Sequence, residues 1–204
     1  MTRAEIDTPH GLARAELHCA PDGGRAGLLL GHGAGGGIGA PDLVAATRGA
    51  TAAGVHVALI EQPYRVAGRR APAPAGQLDT AWLAIADHLS DLWFDGLPLV
   101  FGGRSSGARV ACRTALEGQA VAVVCLAFPL HPPGKPDKTR LPELDEVTVP
   151  TLVVQGESDS FGRPPAAHHR EVVLMPGDHS LKKELPRISR TVEEWLDRIL
   201  RPLG

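Results

Sequence analysis

Cysteine is scarce in this chain: Cys19, Cys112 and Cys125 are the only three in 204 residues. An odd number without C-x-x-C spacing argues against a disulfide framework or a zinc site and fits a reducing compartment. Cys112 and Cys125 stand in apolar patterns and read as core fillers. No stretch approaches ~20 consecutive apolar residues, so no membrane span is expected. The N-terminus has no basic segment followed by a long apolar run, so no signal peptide is expected and the cytoplasm is the expected compartment. Excess charge is missing as well. The 21 Lys and Arg against 23 Asp and Glu leave a net charge of −2 with no basic stripe, which removes nucleic acid from the expected partners. Internal repeats and low-complexity tails are also absent.

The composition that remains, 43% hydrophobic and 22% charged, is that of an ordinary globular protein. A chain of this length is expected to form one domain, 1–204, able to bury roughly 70% of its unfolded surface without staples. Short apolar runs alternate with helical patterns along it. Ala13 to His18, Gly27 to Leu30, Val55 to Ile60, Leu97 to Phe101, Ala120 to Phe128, Thr151 to Gln155 and Val172 to Met175 read as strands. Pro41 to Ala53, Leu78 to Phe94, Ala108 to Leu116 and Leu181 to Leu200 read as helices. The second has its apolar stripe at Leu78, Trp82, Ile85, Leu89 and Leu92/Trp93. Glu61 to Gly76 and Pro129 to Val147 read as loops. Such alternation predicts an α/β fold, a mostly parallel central sheet with helices on both faces. Working groups then belong at the carboxyl ends of the strands. Four polar residues stand there: His32, Ser105, Asp159 and His179.

Gly103-Arg104-Ser105-Ser106-Gly107 fits G-x-S-x-G, the nucleophile elbow, between a strand and a helix as that motif requires. A serine on so tight a turn sits at strained backbone angles, and a Cβ on either flanking glycine would collide with strand or helix. The turn lifts the Ser105 hydroxyl clear and sets the Ser106 N–H at a helix N-terminus, where it can face an oxyanion. A serine hydroxyl needs a base, and the base needs an orienting group. Past Ser105 the strand-end loops supply Asp159 and then His179, in the chain order of α/β-hydrolases. Glu157 and Asp178 compete with Asp159, and Asp178 reads better as a cap for the final helix. The second oxyanion donor is expected in His32-Gly33-Ala34-Gly35-Gly36, from Ala34 or, as the alternative, Gly35. His32 reads as a brace of that loop or as a pocket residue. Gln62 and Tyr64 end another strand and could rim the pocket. Arg104 either lines the pocket against an anionic substrate or braces a neighbouring loop. His168-His169 has no third ligand at metal spacing, so no metal is expected. The glycine-rich loop lacks the lysine of a phosphate loop.

Together, HGAGG, GGRSSG with the following Ala-Arg-Val-Ala, QGESDSFG and PGDHSLK resemble the small α/β-hydrolases grouped with dienelactone-hydrolase-like proteins. The match is closer to their lid-less branch, which includes bacterial predicted hydrolases and the hydrolase-like domain of a eukaryotic chromatin-complex subunit. The resemblance runs from about Gly27 to the C-terminus. It implies the α/β-hydrolase fold and its catalytic machinery. Dienelactone hydrolases carry cysteine as nucleophile, so Ser105 argues against lactone specificity. The segment between Phe128 and Pro150, where larger relatives insert a lid, is only about twenty residues long. A shallow, open cleft is therefore expected, suited to small esters or to an acyl group presented by a larger partner. The expected activity is hydrolysis of a small carboxylic ester or thioester through an acyl-enzyme, with no cofactor. The alternative is a non-catalytic binding or scaffold module that keeps the hydrolase shell.

Overall fold

The computed structural model describes residues 2–201. Eight strands form one sheet: β1 (Thr2–Thr8), β2 (Gly11–His18), β3 (Ala26–Gly31), β4 (Val55–Glu61), β5 (Leu99–Arg104), β6 (Ala122–Leu126), β7 (Thr151–Gly156) and β8 (Arg170–Met175). Their order across the sheet is β1-β2-β4-β3-β5-β6-β7-β8. The first two pairings, β1 with β2 and β2 with β4, are antiparallel, and all others are parallel. β3, β6 and β7 are buried at every position, which is why their sequences run apolar instead of alternating.

Helices cover both faces. α1 (Pro41–Ala52) and α6 (Leu185–Leu200) pack on one side with Leu28, Leu30, Val124 and Val154 of the sheet. α3 (Ala75–Leu92), α4 (Ser106–Thr114) and α5 (Leu141–Asp145) pack on the other with Leu29, Phe101, Val123 and Val153. The stripe of α3 seats Leu78, Trp82, Ile85 and Leu89 in this core, but Leu92 is 73% exposed and lies off it. α4 has the nine residues of its pattern but begins and ends two residues earlier, and Leu116 beyond it is 80% exposed. α6 starts at Leu185, four residues later than the apolar pattern suggests, because Leu181 anchors the preceding loop in the core instead.

Three elements lie outside the sequence expectation. β1 carries no apolar alternation. Only Ile6 of it is buried, and the strand is held by its ladder to β2 and by the pairs Arg3–Glu16 and Arg14–Glu5. The Glu61–Gly76 stretch contains a four-residue helix, α2 (Pro63–Val66), opened by a proline at N1. The connection between β6 and β7 contains α5, whose Leu144 is drawn into the core. That five-residue helix is the one helix of the connection where a lid would be inserted. No helix among residues 2–201 is long and apolar enough to cross a membrane.

Candidate active site

Ser105 lies between β5 and α4 at φ 53° and ψ −108°, a region that costs a non-glycine residue about 1–3 kcal/mol. The surroundings enforce it. A Cβ on Gly103 would come within 2.6 Å of the Gly107 carbonyl carbon, and one on Gly107 would strike the backbone of Gly31 on β3. β5 and α4 can therefore cross closely only with glycine at both places. The Ser105 N–H is taken by the Leu126 carbonyl at 2.9 Å, which ties the turn to the end of β6.

The loops after β7 and β8 meet above this turn. Their approach is close: a Cβ on Gly156, the last residue of β7, would strike the Asp178 carbonyl. Ser158 bonds the Gly177 carbonyl twice, through its N–H at 2.9 Å and its hydroxyl at 2.8 Å. The result is a continuous polar chain. His179 Nε2 lies 2.9 Å from Ser105 Oγ, and His179 Nδ1 lies 2.8 Å from Asp159 Oδ2. A carboxylate only accepts, so Nδ1 carries the proton and Nε2 is left to accept from the serine hydroxyl. The Asp159 carboxylate has no exposed surface. Besides His179 it accepts from Gln155 Nε2 and from the Phe161 N–H, each at 2.8 Å. Phe161 also stacks on the His179 ring, centroids 4.1 Å apart and planes 28° apart.

The rival acids sit elsewhere. Glu157 is exposed. Asp178 accepts from the N–H and hydroxyl of Ser180 and does not cap α6, whose N-cap is Glu184. His168 and His169 are exposed, and among the described residues no group of three or more His, Cys, Asp or Glu could hold a metal ion.

On the other side of Ser105, the loop after β3 presents backbone. Among the described residues neither the Ala34 N–H nor the Ser106 N–H has a hydrogen-bond partner. Gly33 lies against the elbow, since a Cβ on it would be 3.6 Å from that of Ser105. The peptides on either side of Ala34 are pinned by their carbonyls. Gly33 O accepts from His32 Nδ1 at 2.8 Å and from the Gly36 N–H at 3.2 Å, and Ala34 O accepts from the Tyr64 hydroxyl at 3.0 Å.

His32 is therefore a brace and not a cleft residue. It is 3% exposed, and its Nε2 accepts from the Gln62 N–H. Burial pushes its pKa below the usual imidazole value. Gln62 and Tyr64 are also buried. With His10, Arg69, Gln77 and Leu78 they line a small cavity beside α2. Arg104 spends its guanidinium inside the protein, donating to Asp42 Oδ2 at 3.1 Å and to the His179 carbonyl at 2.9 Å. Of its two expected roles, these bonds are those of a brace.

Three residues of this neighbourhood escaped the sequence reading. Gln155 breaks an otherwise apolar buried strand, a signal that could have found it. Phe161 is one of four phenylalanines and stands alone in a polar loop, which is a weaker signal. Asp42 gave none, since an acid in the first turn of a helix is accounted for by the helix dipole.

Comparison with known proteins agrees with this architecture. No curated protein sequence matches the chain. An α/β serine hydrolase without lid from Xanthomonas campestris superposes with a TM-score of 0.81 at 19% identity, over 98% of this chain and 95% of that one. Est1E from Butyrivibrio proteoclasticus does so at 0.79 and 16%, over 98% and 99%. A dienelactone hydrolase from Anabaena variabilis does so at 0.76 and 19%, over 98% of each chain. Residues 24–202 match the family model described as alpha/beta hydrolase domain. With an eight-stranded sheet of this order and a matched segment that covers most of its length, the chain belongs to the alpha/beta hydrolase domain family.

Proposed function

We propose that this protein is a serine hydrolase that cleaves a small carboxylic ester or thioester through an acyl-enzyme on Ser105. The observation that carries the proposal is the unbroken chain from Ser105 Oγ through the His179 ring to Asp159. His179 Nε2 takes the hydroxyl proton as Ser105 Oγ adds to the acyl carbon, and the imidazolium returns that proton to the departing alcohol or thiol. Water then adds to the acyl-enzyme, again losing its proton to Nε2, and the acid leaves as Ser105 regains its proton. Asp159 holds the Nδ1–H tautomer throughout. The Ser106 and Ala34 N–H groups receive the negative charge on the carbonyl oxygen, and each such donor typically lowers the barrier by about 3 kcal/mol. Ala34 is preferred to Gly35 because its peptide abuts the elbow and its carbonyl side is held by two donors.

Every step uses this chain's own residues, within one domain and with no cofactor. The absence of a lid insertion favours small esters or an exposed acyl group over long enclosed chains. The three free cysteines fit the cytoplasm. A fluorophosphonate probe is expected to label the wild type and not Ser105→Ala. The same variant is expected to lose at least about 10⁵-fold in turnover of p-nitrophenyl acetate. Failure to label the wild type under conditions that label a known serine hydrolase would favour the scaffold module instead.

A further inference from the structure

Arg104 occupies one of the two variable positions of the elbow and has no part in the proton path. Its side chain is 19% exposed, and its donors point to three different parts of the site. Nη2 donates to the His179 carbonyl. Nε donates to Asp42, in the first turn of α1. Nη1 lies over the loop after β3, where a Cβ on Gly33 would approach it to 2.8 Å. The Asp42 carboxylate has no exposed surface, and its second oxygen accepts from the Leu43 N–H at 3.0 Å. Burial pushes Asp42 above the usual carboxylate range, against the pull of the Arg104 charge.

We infer that Asp42 and Arg104 form a positioning device for the base, one that fixes His179 relative to Ser105. The inference rests on the triad reading above. Arg104 and Ser105 are covalent neighbours. The path from the guanidinium to the His179 carbonyl, through the imidazole to Ser105 Oγ and back along the backbone is a closed circuit. Its closure sets the Nε2–Oγ separation from the elbow itself, without relying on the distant root of the β8 loop. Elsewhere that loop is held by the Ser158 bonds to Gly177 and by Leu181, the one buried residue of 176–184, while Asp178, Lys182, Lys183 and Glu184 are exposed. Asp42 serves Arg104. It holds the guanidinium plane and neutralises a cation that would oppose the imidazolium formed during turnover. A lysine could satisfy one of these acceptors but lacks the planar fork that reaches both.

The test is a set of variants: Arg104→Met, Arg104→Lys, Asp42→Asn and the double variant Asp42→Asn/Arg104→Met, which leaves no buried charge unpaired. Each is assayed on neutral p-nitrophenyl acetate and on an anionic ester, mono-p-nitrophenyl glutarate. Misplacing the base should lower kcat by ~10- to 100-fold for both esters in Arg104→Met, with KM within about threefold. Arg104→Lys should recover part of the loss. Asp42→Asn should cost less, and nothing further once Arg104 is methionine. A loss confined to KM for the anionic ester makes Arg104 a substrate ligand and overturns the inference. So does an Asp42→Asn effect of the same size in both backgrounds, or kcat unchanged in Arg104→Met. A second readout needs no turnover. The downfield proton of His179 Nδ1, assigned by its loss in His179→Gln, should be sharp in the wild type, broadened by water exchange in Arg104→Met and the double variant, and sharper again in Arg104→Lys. Unchanged sharpness in Arg104→Met also overturns the inference. Should the wild type neither label nor turn over, the triad reading fails, while the Nδ1 proton still decides whether Arg104 orders His179.

Discussion

On the β7–β8 side of Ser105, three donors converge on the two oxygens of Asp159, an aromatic ring stacks on His179, and the His179 carbonyl is held by Arg104. On the β3 side, residues 33–37 contain four glycines and one alanine, and among the described residues the Ala34 N–H is left without a partner. Under the proposed mechanism the two sides obey opposite rules because they have opposite tasks. A base must keep one tautomer and one place through a whole cycle, so its groups are saturated with bonds. An oxyanion donor must be empty until charge arrives, so its carbonyl side is pinned and its N–H side is not. Order on the β3 side is supplied from behind, by His32 and Tyr64.

The comparison can be broken first where saturation is greatest. Asp159→Asn keeps the size of the group but presents an amide to Nδ1, favouring the wrong imidazole tautomer. About 10⁴-fold in kcat is expected to be lost, the size of that effect in serine proteases, with the fold intact by circular dichroism. A loss below tenfold would mean another acid orients His179. Next comes the seam between the two sides. Gly33→Ala puts a Cβ against Arg104, whose guanidinium is already committed to Asp42 and His179. Either the loop or the arginine must shift, and a ~10- to 100-fold fall in kcat is expected, measured on the same ester. Wild-type kcat in this variant would show that the seam is loose.

Much of this is legible in the sequence, for a physical reason. The elbow is a local steric problem, and local problems leave local signatures: Gly103 and Gly107 are glycine because Gly107 and Gly31 are in the way. Ser105, Asp159 and His179 stand just past strand ends in the expected chain order, so the parallel sheet gathers them on one edge. Contacts between loops left no such mark. That Phe161 would stack on His179, or that Asp42 would reach Arg104 across sixty-two residues, depends on the packing of α1 and two loops. Asp178 misled for the opposite reason. Its position suggested a helix cap, but Leu181 is drawn into the core and α6 begins only after the chain has turned again. β1 was invisible because its pairing is satisfied by backbone and ion pairs, with one buried side chain.

The β3 side offers smaller effects. Tyr64→Phe removes the donor to the Ala34 carbonyl and leaves the ring in its buried place. One net hydrogen bond is lost at about 1 kcal/mol, which should lower the melting temperature by about 2–4 °C, and roughly a three- to tenfold drop in kcat is expected with KM little changed. A drop in stability without a drop in kcat would make Tyr64 a packing residue only.

The mildest break is made with acid. His32 donates to Gly33 O and accepts from the Gln62 N–H, and only a neutral imidazole can do both. Burial lowers its folded pKa most strongly, the Gly33 bond works against that, and Arg65 adds to the lowering. Since the unfolded chain then binds more protons than the folded one below the ordinary value of ~6.5, stability is complete above that pH and falls as pH drops toward the folded pKa. The His32→Gln variant has no such group. The difference in urea unfolding free energy between wild type and variant should therefore favour the wild type most above pH 7. It should shrink progressively as the pH falls below 6. Parallel pH curves for the two proteins would mean that His32 titrates alike folded and unfolded.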